Sequence, residues 1–359
     1  MDGPGIGGIG EIGGPAGGPV RVAVLSSFPP EVCGIGEYAA QQARRLERDG
    51  HTVDRIPLDA LRWGGWTRAA VADVEARLSR ADRAILHYQV GLFLDKTRWP
   101  RVRRFTVPHA ALRRLCRRVP HLEVVVHESS WKVWRGTGER LQYPVVRAFF
   151  AAAPRLVFHT VAEKEAFERE FRLARPSQVV PHHADFVANT GRTQAQARQA
   201  LGVPPHERMA LCIGFYAPAK GFEDAAERFL ALRKAGKLRP AARLRVVTSV
   251  REREDAAKQA GLARLVALAA SADGAAAGLI VDPRYVGSEE FDDWLMAADL
   301  VLLPYRSSFS SGVAARAALL GRPVAARDVG GLGEQVGQDG RTYRTPEELD
   351  AILLAALGG

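Results

Sequence analysis

Cysteine is scarce. Three occur in 359 residues, Cys33, Cys116 and Cys212, far apart and never in a CxxC pair. That spacing argues against a disulfide framework and a thiolate zinc site, and it suits a reducing cytosol. Long apolar runs are missing too: no stretch approaches the roughly 18 residues that a membrane helix needs. No basic segment followed by an apolar core opens the chain, so a signal peptide is not expected. No long block of one charge occurs either, although the formal net charge is +10. Arginines come singly or in short clusters, Arg101 to Arg104 and Arg113 to Arg118. Such a surface can meet nucleotide phosphates or an anionic membrane face, or simply be the solvated side of helices. No motif for nucleic acid is present.

What remains is the composition of a soluble globular protein, 47% hydrophobic and 25% charged. The length fits two domains of roughly 150–180 residues. Residues 1–18 are almost only Gly, Ile, Pro and Ala and are expected to be a disordered tail. Gly5, Gly7 and Gly10 there match GxGxxG formally. They precede the first strand, whereas a dinucleotide loop must follow one.

From Val20 onward, short apolar runs alternate with helix-length amphipathic stretches. The runs are Val20–Leu25, Thr52–Ile56, Ala84–His87, Glu123–Val126, Leu156–Phe158 and Gln178–Val180. Residues 185–198 lose the pattern and read as a linker. A second series follows at Ala210–Ile213, Leu244–Thr248, Leu279–Val281, Leu300–Leu303 and Pro323–Ala326. Continuous apolar strands separated by helices predict parallel sheets covered on both faces. The expected fold class is α/β, two Rossmann-like doubly wound domains facing across a cleft. The expected boundaries are 19–188 and 189–345, with a C-terminal helix over 346–359. Ligand crevices of such sheets lie at the carboxyl ends of their strands.

Four segments at strand ends carry the chemistry. After the first strand, Gly34 and Gly36 open a helix; they allow an anion to approach its free N–H groups, or they form a tight turn. After the Glu123–Val126 run stands His127, either a sugar or proton-transfer ligand or a structural histidine. His87 is placed similarly, and Trp131 follows shortly as a candidate stacking surface. After Ala210–Ile213 come Gly214 and then Lys220, a point charge for a diphosphate or a solvated lysine. After Leu300–Leu303, Ser308, Ser310, Ser311, Gly312 and Val313 gather hydroxyls and N–H groups without a carboxylate. That favours phosphate, or a plain helix N-cap. His182 and His183 are adjacent, which rarely suits one metal, and Asp185 does not complete a set. No metal and no cofactor are expected.

In order and spacing these blocks resemble the GT-B glycosyltransferases, and among them the large retaining family 4. FPPEVCGIGEYAAQQARRLERDGHTV is similar to that family's first strand, glycine loop and helix. VVPHHAD resembles its linker start, and IGFYAPAKGFEDA its Gly…Lys-Gly donor motif. YVGSEEFDDWLMAADLVLLPYRSSFSSGVAARAALLGRPVAARDVGGLGEQV resembles its donor-binding half. The resemblance spans about residues 20–338.

It implies transfer of a sugar from a nucleotide-sugar donor, a UDP- or GDP-sugar, with retention and without metal. The second domain would bind the donor and the first the acceptor, whether sugar, lipid-linked or small molecule. Gly34 would approach the transferred sugar or diphosphate, Lys220 would neutralise the leaving group, Ser310 to Val313 would touch phosphate, and His127 would lie near the sugar. His87 and Trp131 would face the acceptor. A cytoplasmic protein is implied, with peripheral contact at the inner membrane face as one route to a lipid acceptor. The oligomeric state is not legible. The chain departs from the family at its Glu-x7-Glu pair, whose places hold Ser308 and Arg316. Phe215 stands where an Arg frequently follows Gly214. A catalytically silent homologue, or an epimerase or phosphorylase of the same fold, are the alternative readings.

Overall fold

The computed structural model describes residues 18–94, 101–128, 139–251, 255–337 and 340–359. The expected disordered tail therefore lies, but for residue 18, outside the described residues.

The first unit runs β1 (Arg21–Ser26), α1 (Gly34–Arg48), β2 (Thr52–Pro57), α2 (Asp59–Gly64), α3 (Arg68–Arg80) and β3 (Arg83–Tyr88). It continues through α4 (Arg101–Arg118), β4 (Leu122–Val126), α5 (Glu139–Phe150), β5 (Arg155–Phe158), α6 (Val161–Phe171) and β6 (Ser177–Val179). Its sheet has the order β2-β1-β3-β4-β5-β6, every pair parallel. Val22, Ala23, Val24 and Leu25 are successive yet all buried. A strand covered on both faces needs such an unbroken apolar run.

The second unit begins with α7 (Gln194–Leu201), β7 (Arg208–Phe215), α8 (Phe222–Lys234), β8 (Ala242–Ser249), α9 (Ala256–Ala270), α10 (Ala272–Ala277) and β9 (Leu279–Asp282). It ends with α11 (Ser288–Ala297), β10 (Leu300–Leu303), α12 (Gly312–Leu319), β11 (Val324–Arg327), α13 (Leu332–Val336), β12 (Arg341–Tyr343) and α14 (Pro346–Leu357). Its sheet, also parallel throughout, has the order β12-β11-β10-β7-β8-β9. Two doubly wound parallel sheets are the architecture that the α/β reading expected.

The linker reading of 185–198 fails in its second half. Thr193 and Gln196 form a capping box that starts α7 at Gln194. Arg198 then explains why so short and polar a helix is ordered. Its guanidinium donates to Ala297 O, Pro205 O and Glu207 O and pairs with Asp299 at 2.7 Å, while the residue is buried. Periodicity cannot show this, because the helix is fixed by one buried cation. The edge strand β12 was also missed: three residues, two of them exposed, give no apolar run.

Arg198→Ala should lower stability by about 3 kcal/mol, because it leaves Asp299 and buried carbonyls without their cation. Urea denaturation followed by circular dichroism measures this; an unchanged midpoint would show that the network stabilises nothing.

Candidate functional site

The carboxyl ends of both sheets meet. Cys33 caps α1 without a side-chain hydrogen bond, so the first-turn N–H groups stay open. Gly34 is exposed, with free space where a Cβ would stand. Gly36 is different: a Cβ there would come within 3.1 Å of Ser27 Oγ and 3.3 Å of Ser27 O. Its smallness serves the packing of α1 against the end of β1. One turn along, Glu37 reaches the second unit, accepting from Ser288 Oγ at 2.7 Å and Tyr285 OH at 3.3 Å.

Below this helix lie four histidines. His87 is fully buried and so cannot touch an acceptor, which corrects that expectation. Its Nε2 donates to Gln42 Oε1 at 3.0 Å, and its Nδ1 lies 2.8 Å from His127 Nε2. With Gln42 accepting, His87 Nδ1 must accept, so His127 carries its proton on Nε2 and keeps the Nδ1 lone pair free. His87 thus positions His127. His159, at the end of β5, bonds Val180 O through Nδ1 at 3.1 Å. His182 stacks on His159 with centroids 4.1 Å apart. Neither His182 nitrogen has a partner, nor has His159 Nε2. The Tyr38 ring stands edge-on to all four imidazoles, and its hydroxyl donates to Asp185. His183, adjacent to His182, is exposed and apart from this group. One nitrogen from each of His127, His159 and His182 lies within 4.8 Å of the others.

Burial holds all four rings neutral. Desolvation, then repulsion from His159 and Arg83, pulls His87 down to about 3. His127 and His182 are pushed well below the ordinary value by burial first and then by repulsion from His87 and His159. His159 is lowered by burial against the opposing pull of Asp185. Burial raises Glu163, on α6, to about 7, and Glu334 adds to the rise.

In the second unit, two loops are fastened together. Gly221, at φ +63°, lies so close to Pro304 that a Cβ would stand 2.1 Å from its carbonyl oxygen. Arg306 N donates to Ala219 O at 2.8 Å. Lys220 is thereby held with Nζ 3.6 Å from the centre of the Tyr305 ring. Among the described residues it has no carboxylate partner, whereas neighbouring Arg306 is paired with Asp224. Gly214, at φ +126°, leaves a Cβ position 3.7 Å from Val313 Cγ2. The Gly214 turn and the start of α12 are therefore neighbours.

Ser311 is the N-cap of α12, accepting from Ala314 N at 3.3 Å, and it is buried. Its hydroxyl is committed to the helix. Ser308 Oγ donates to Ser310 O at 2.9 Å. A Cβ on Gly312 would stand 3.5 Å from Phe186 Cζ. Arg316 is buried, pairs with Asp292 at 2.6 Å, donates to Ser288 O and stacks over Phe291 at 4.3 Å. It ties α12 to α11, which corrects its reading as a sugar or ribose contact. Phe215, in place of the family's Arg, stacks on Tyr285 at 6.0 Å. Trp131 lies outside the described residues.

Sequence reasoning missed His159, Tyr38 and Glu334. Glu334 crosses to the first unit and accepts from Val161 N at 2.8 Å and Ala162 N at 3.1 Å, capping α6 from outside. His159 had a signal: it follows β5 as His127 follows β4. A depression of about 710 Å³, lined in part by Asn189, Arg192, Gln199 and Glu289, lies beside α7, and no residue of this site lines it.

The family described as "Glycosyl transferases group 1" matches residues 207–357. The match is to a single domain and spans less than half of this chain. That domain contains Gly214, Lys220 and the Ser310 to Val313 turn. Relatives include the D-inositol 3-phosphate glycosyltransferases of Streptomyces scabiei, 33% identical over 199 residues, and Streptomyces avermitilis, 34% over 200. The matches cover 53% and 54% of this chain and only 42% and 40% of those relatives. Solved structures share the fold around the group 1 domain across the chain. Sucrose-phosphate synthase from Thermosynechococcus elongatus superposes with TM-score 0.63 at 17% identity, over 93% of this chain and 90% of that one. Anabaena HepE in complex with UDP-glucose gives 0.63 at 15%, over 94% and 89%. The fold is GT-B.

Stability should depend on pH through the buried histidines. Below the ordinary value of 6.5, the unfolded chain takes up protons that folded His87 refuses until about 3. Stability is therefore full above pH 6.5 and declines as the pH falls. Glu163 works oppositely between 4.5 and about 7, because its folded form holds a proton that the unfolded form has released. Four histidines outweigh one carboxyl. Thermal melts should lose Tm steadily from pH 6.5 to 4.5, less steeply in His87→Gln; a flat profile would contradict the neutral cluster.

Proposed function

We propose that the chain is a glycosyltransferase that takes a sugar from a nucleotide-sugar donor, a UDP- or GDP-sugar, and transfers it with retention to a sugar, lipid-linked or small-molecule acceptor. The observation that carries this reading is Lys220. Among the described residues it is a cation without a carboxylate partner, fixed by fastened loops beside Gly214 and the start of α12. A diphosphate leaving group needs such a charge where its own charge develops. The N–H groups at the start of α12 and the open end of α1 at Gly34 add partial positive charge from both sides of the cleft. Relatives named glycosyltransferases and a fold neighbour crystallised with UDP-glucose support the donor class.

In this reading Lys220 neutralises the departing phosphate, Ser310, Gly312 and Val313 line its path, and His127 lies on the cleft floor near the sugar. Ser308 offers the hydroxyl nearest to the place of the family's first Glu. A divalent ion bridging the phosphates is not needed, because lysine and helix ends supply that charge. A cytoplasmic place, with peripheral membrane contact if the acceptor is lipid-linked, belongs to the same reading. Among the described residues no helix is long and apolar enough to cross a membrane.

Lys220→Ala should cut turnover by about 100-fold or more while leaving the melting curve intact. Unchanged turnover would remove the lysine from the mechanism. A thermal-shift screen of UDP, GDP, TDP and ADP with their sugar conjugates should stabilise the protein with one base; no response to any would favour a silent homologue. Mg²⁺ added to dialysed protein should leave the rate unchanged, and a rate that needs it would overturn the metal-free transfer step.

A further inference from the structure

We propose that His127, His159 and His182 form a binding site for one first-row transition ion, Zn²⁺ by the chemistry of its donors. The three residues come from the ends of β4 and β5 and from the turn His182–Asp185 that leads out of the first unit. One nitrogen of each lies within 4.8 Å of the others. Around an ion with Zn–N of about 2.0–2.1 Å, such nitrogens stand about 3.4 Å apart. The rings must therefore close by an ångström or so, on the order of one ring rotation. His182, with no hydrogen bond at either nitrogen, is the ring free to do so.

The hydrogen bonds around the group are those of ligands rather than of a filled core. A metal-bound histidine generally donates its other N–H to a carbonyl or another acceptor, which fixes the ring. His159 donates Nδ1–H to Val180 O, and its Nε2 is buried without a partner. His127 donates Nε2–H to His87, itself fixed by Gln42, and keeps Nδ1 free. His182 is 6% exposed and leaves both nitrogens unsatisfied. Such desolvated lone pairs are costly when empty, and an ion relieves that cost. The donors are imidazoles alone, which suit Zn²⁺, Co²⁺ or Cu²⁺ and not the hard ions Mg²⁺ or Ca²⁺. Asp185, which holds the hydroxyl of Tyr38, is the nearby carboxylate, and Glu163 accepts from His159 N at 3.1 Å.

The bound ion would pin two strand ends of the first sheet to the segment that crosses to the group 1 domain. This goes beyond the transferase reading and does not depend on it.

The test uses the full, tag-free chain, stripped with chelator and titrated with Zn²⁺ alone, with bound metal measured by mass spectrometry after dialysis. One equivalent should remain and the Tm should rise. Co²⁺ in its place should give the intense visible bands of a four-coordinate site. His159→Gln and His182→Gln should each weaken binding beyond the about 10–100-fold that loss of an outer partner costs. Failure of wild-type protein to retain Zn²⁺ or to develop the Co²⁺ spectrum overturns the proposal, as does retention undiminished in both variants. If a variant misfolds by circular dichroism, the wild-type Co²⁺ spectrum decides alone. A nucleotide thermal shift on the stripped protein tests the transferase reading separately, so either can fall while the other stands.

Discussion

Parallel pairing controls what this molecule can present. Each strand must return through a helix on a face of its sheet before the next begins, so every strand of a sheet ends on the same edge. Ser27, His127 and His159 stand just past strand ends of one sheet. The Gly214 turn, Ser249 and the Pro304 to Ser311 loop stand at strand ends of the other. No residue in either set is near its fellows in the sequence. They are neighbours because the backbone hydrogen bonds of a parallel ladder allow no other edge for them.

The two edges are joined by contacts that are mostly polar. Glu37 reaches Ser288 and Tyr285, and Glu334 caps α6. Where Gly331 packs on Thr160, a Cβ would stand 2.3 Å from the threonine hydroxyl oxygen, so the second unit comes to rest directly on the α6 cap. Interfaces of this kind between domains favour relative motion over a fused core. The basic composition looks different in this light. Arg62, Arg77, Arg198, Arg245, Arg306 and Arg316 each hold a carboxylate, so these cations are committed to ion pairs. Lys220, held by a ring instead of a carboxylate, keeps its charge available.

Legibility follows burial. β1, β3, β4 and β10 were readable because a strand covered on both faces carries a nearly continuous apolar run. β12 was not, since an edge strand of three residues needs only Tyr343 inside. α7 was hidden because its order comes from Arg198 and Asp299, a contact 101 residues apart. The loops of the site were legible as glycine and serine turns after strands. The roles within them were not. Gly34 and Gly36 look alike in the sequence, yet one faces solvent and the other packs on Ser27. His87 and His127 both sit at strand ends, but His87 pairs with Val125 inside the ladder while His127, two residues further along the same face, lies beyond it.

The lost Glu pair shows how such a departure is absorbed. An arginine at position 316 in place of a carboxylate would set a bare cation on α12 unless something neutralised it. Asp292, buried on α11, does so, and Ser288 O and Phe291 complete the pocket. Breaking a buried pair of this kind is costly, so the two positions are tied: neither Arg316 nor Asp292 tolerates loss of the other. The result is a donor-side surface with no carboxylate where the family places two. Beside it Asp224 is taken up by Arg306 while Lys220 rests on the Tyr305 ring, so the lysine keeps its charge although a carboxylate stands close by.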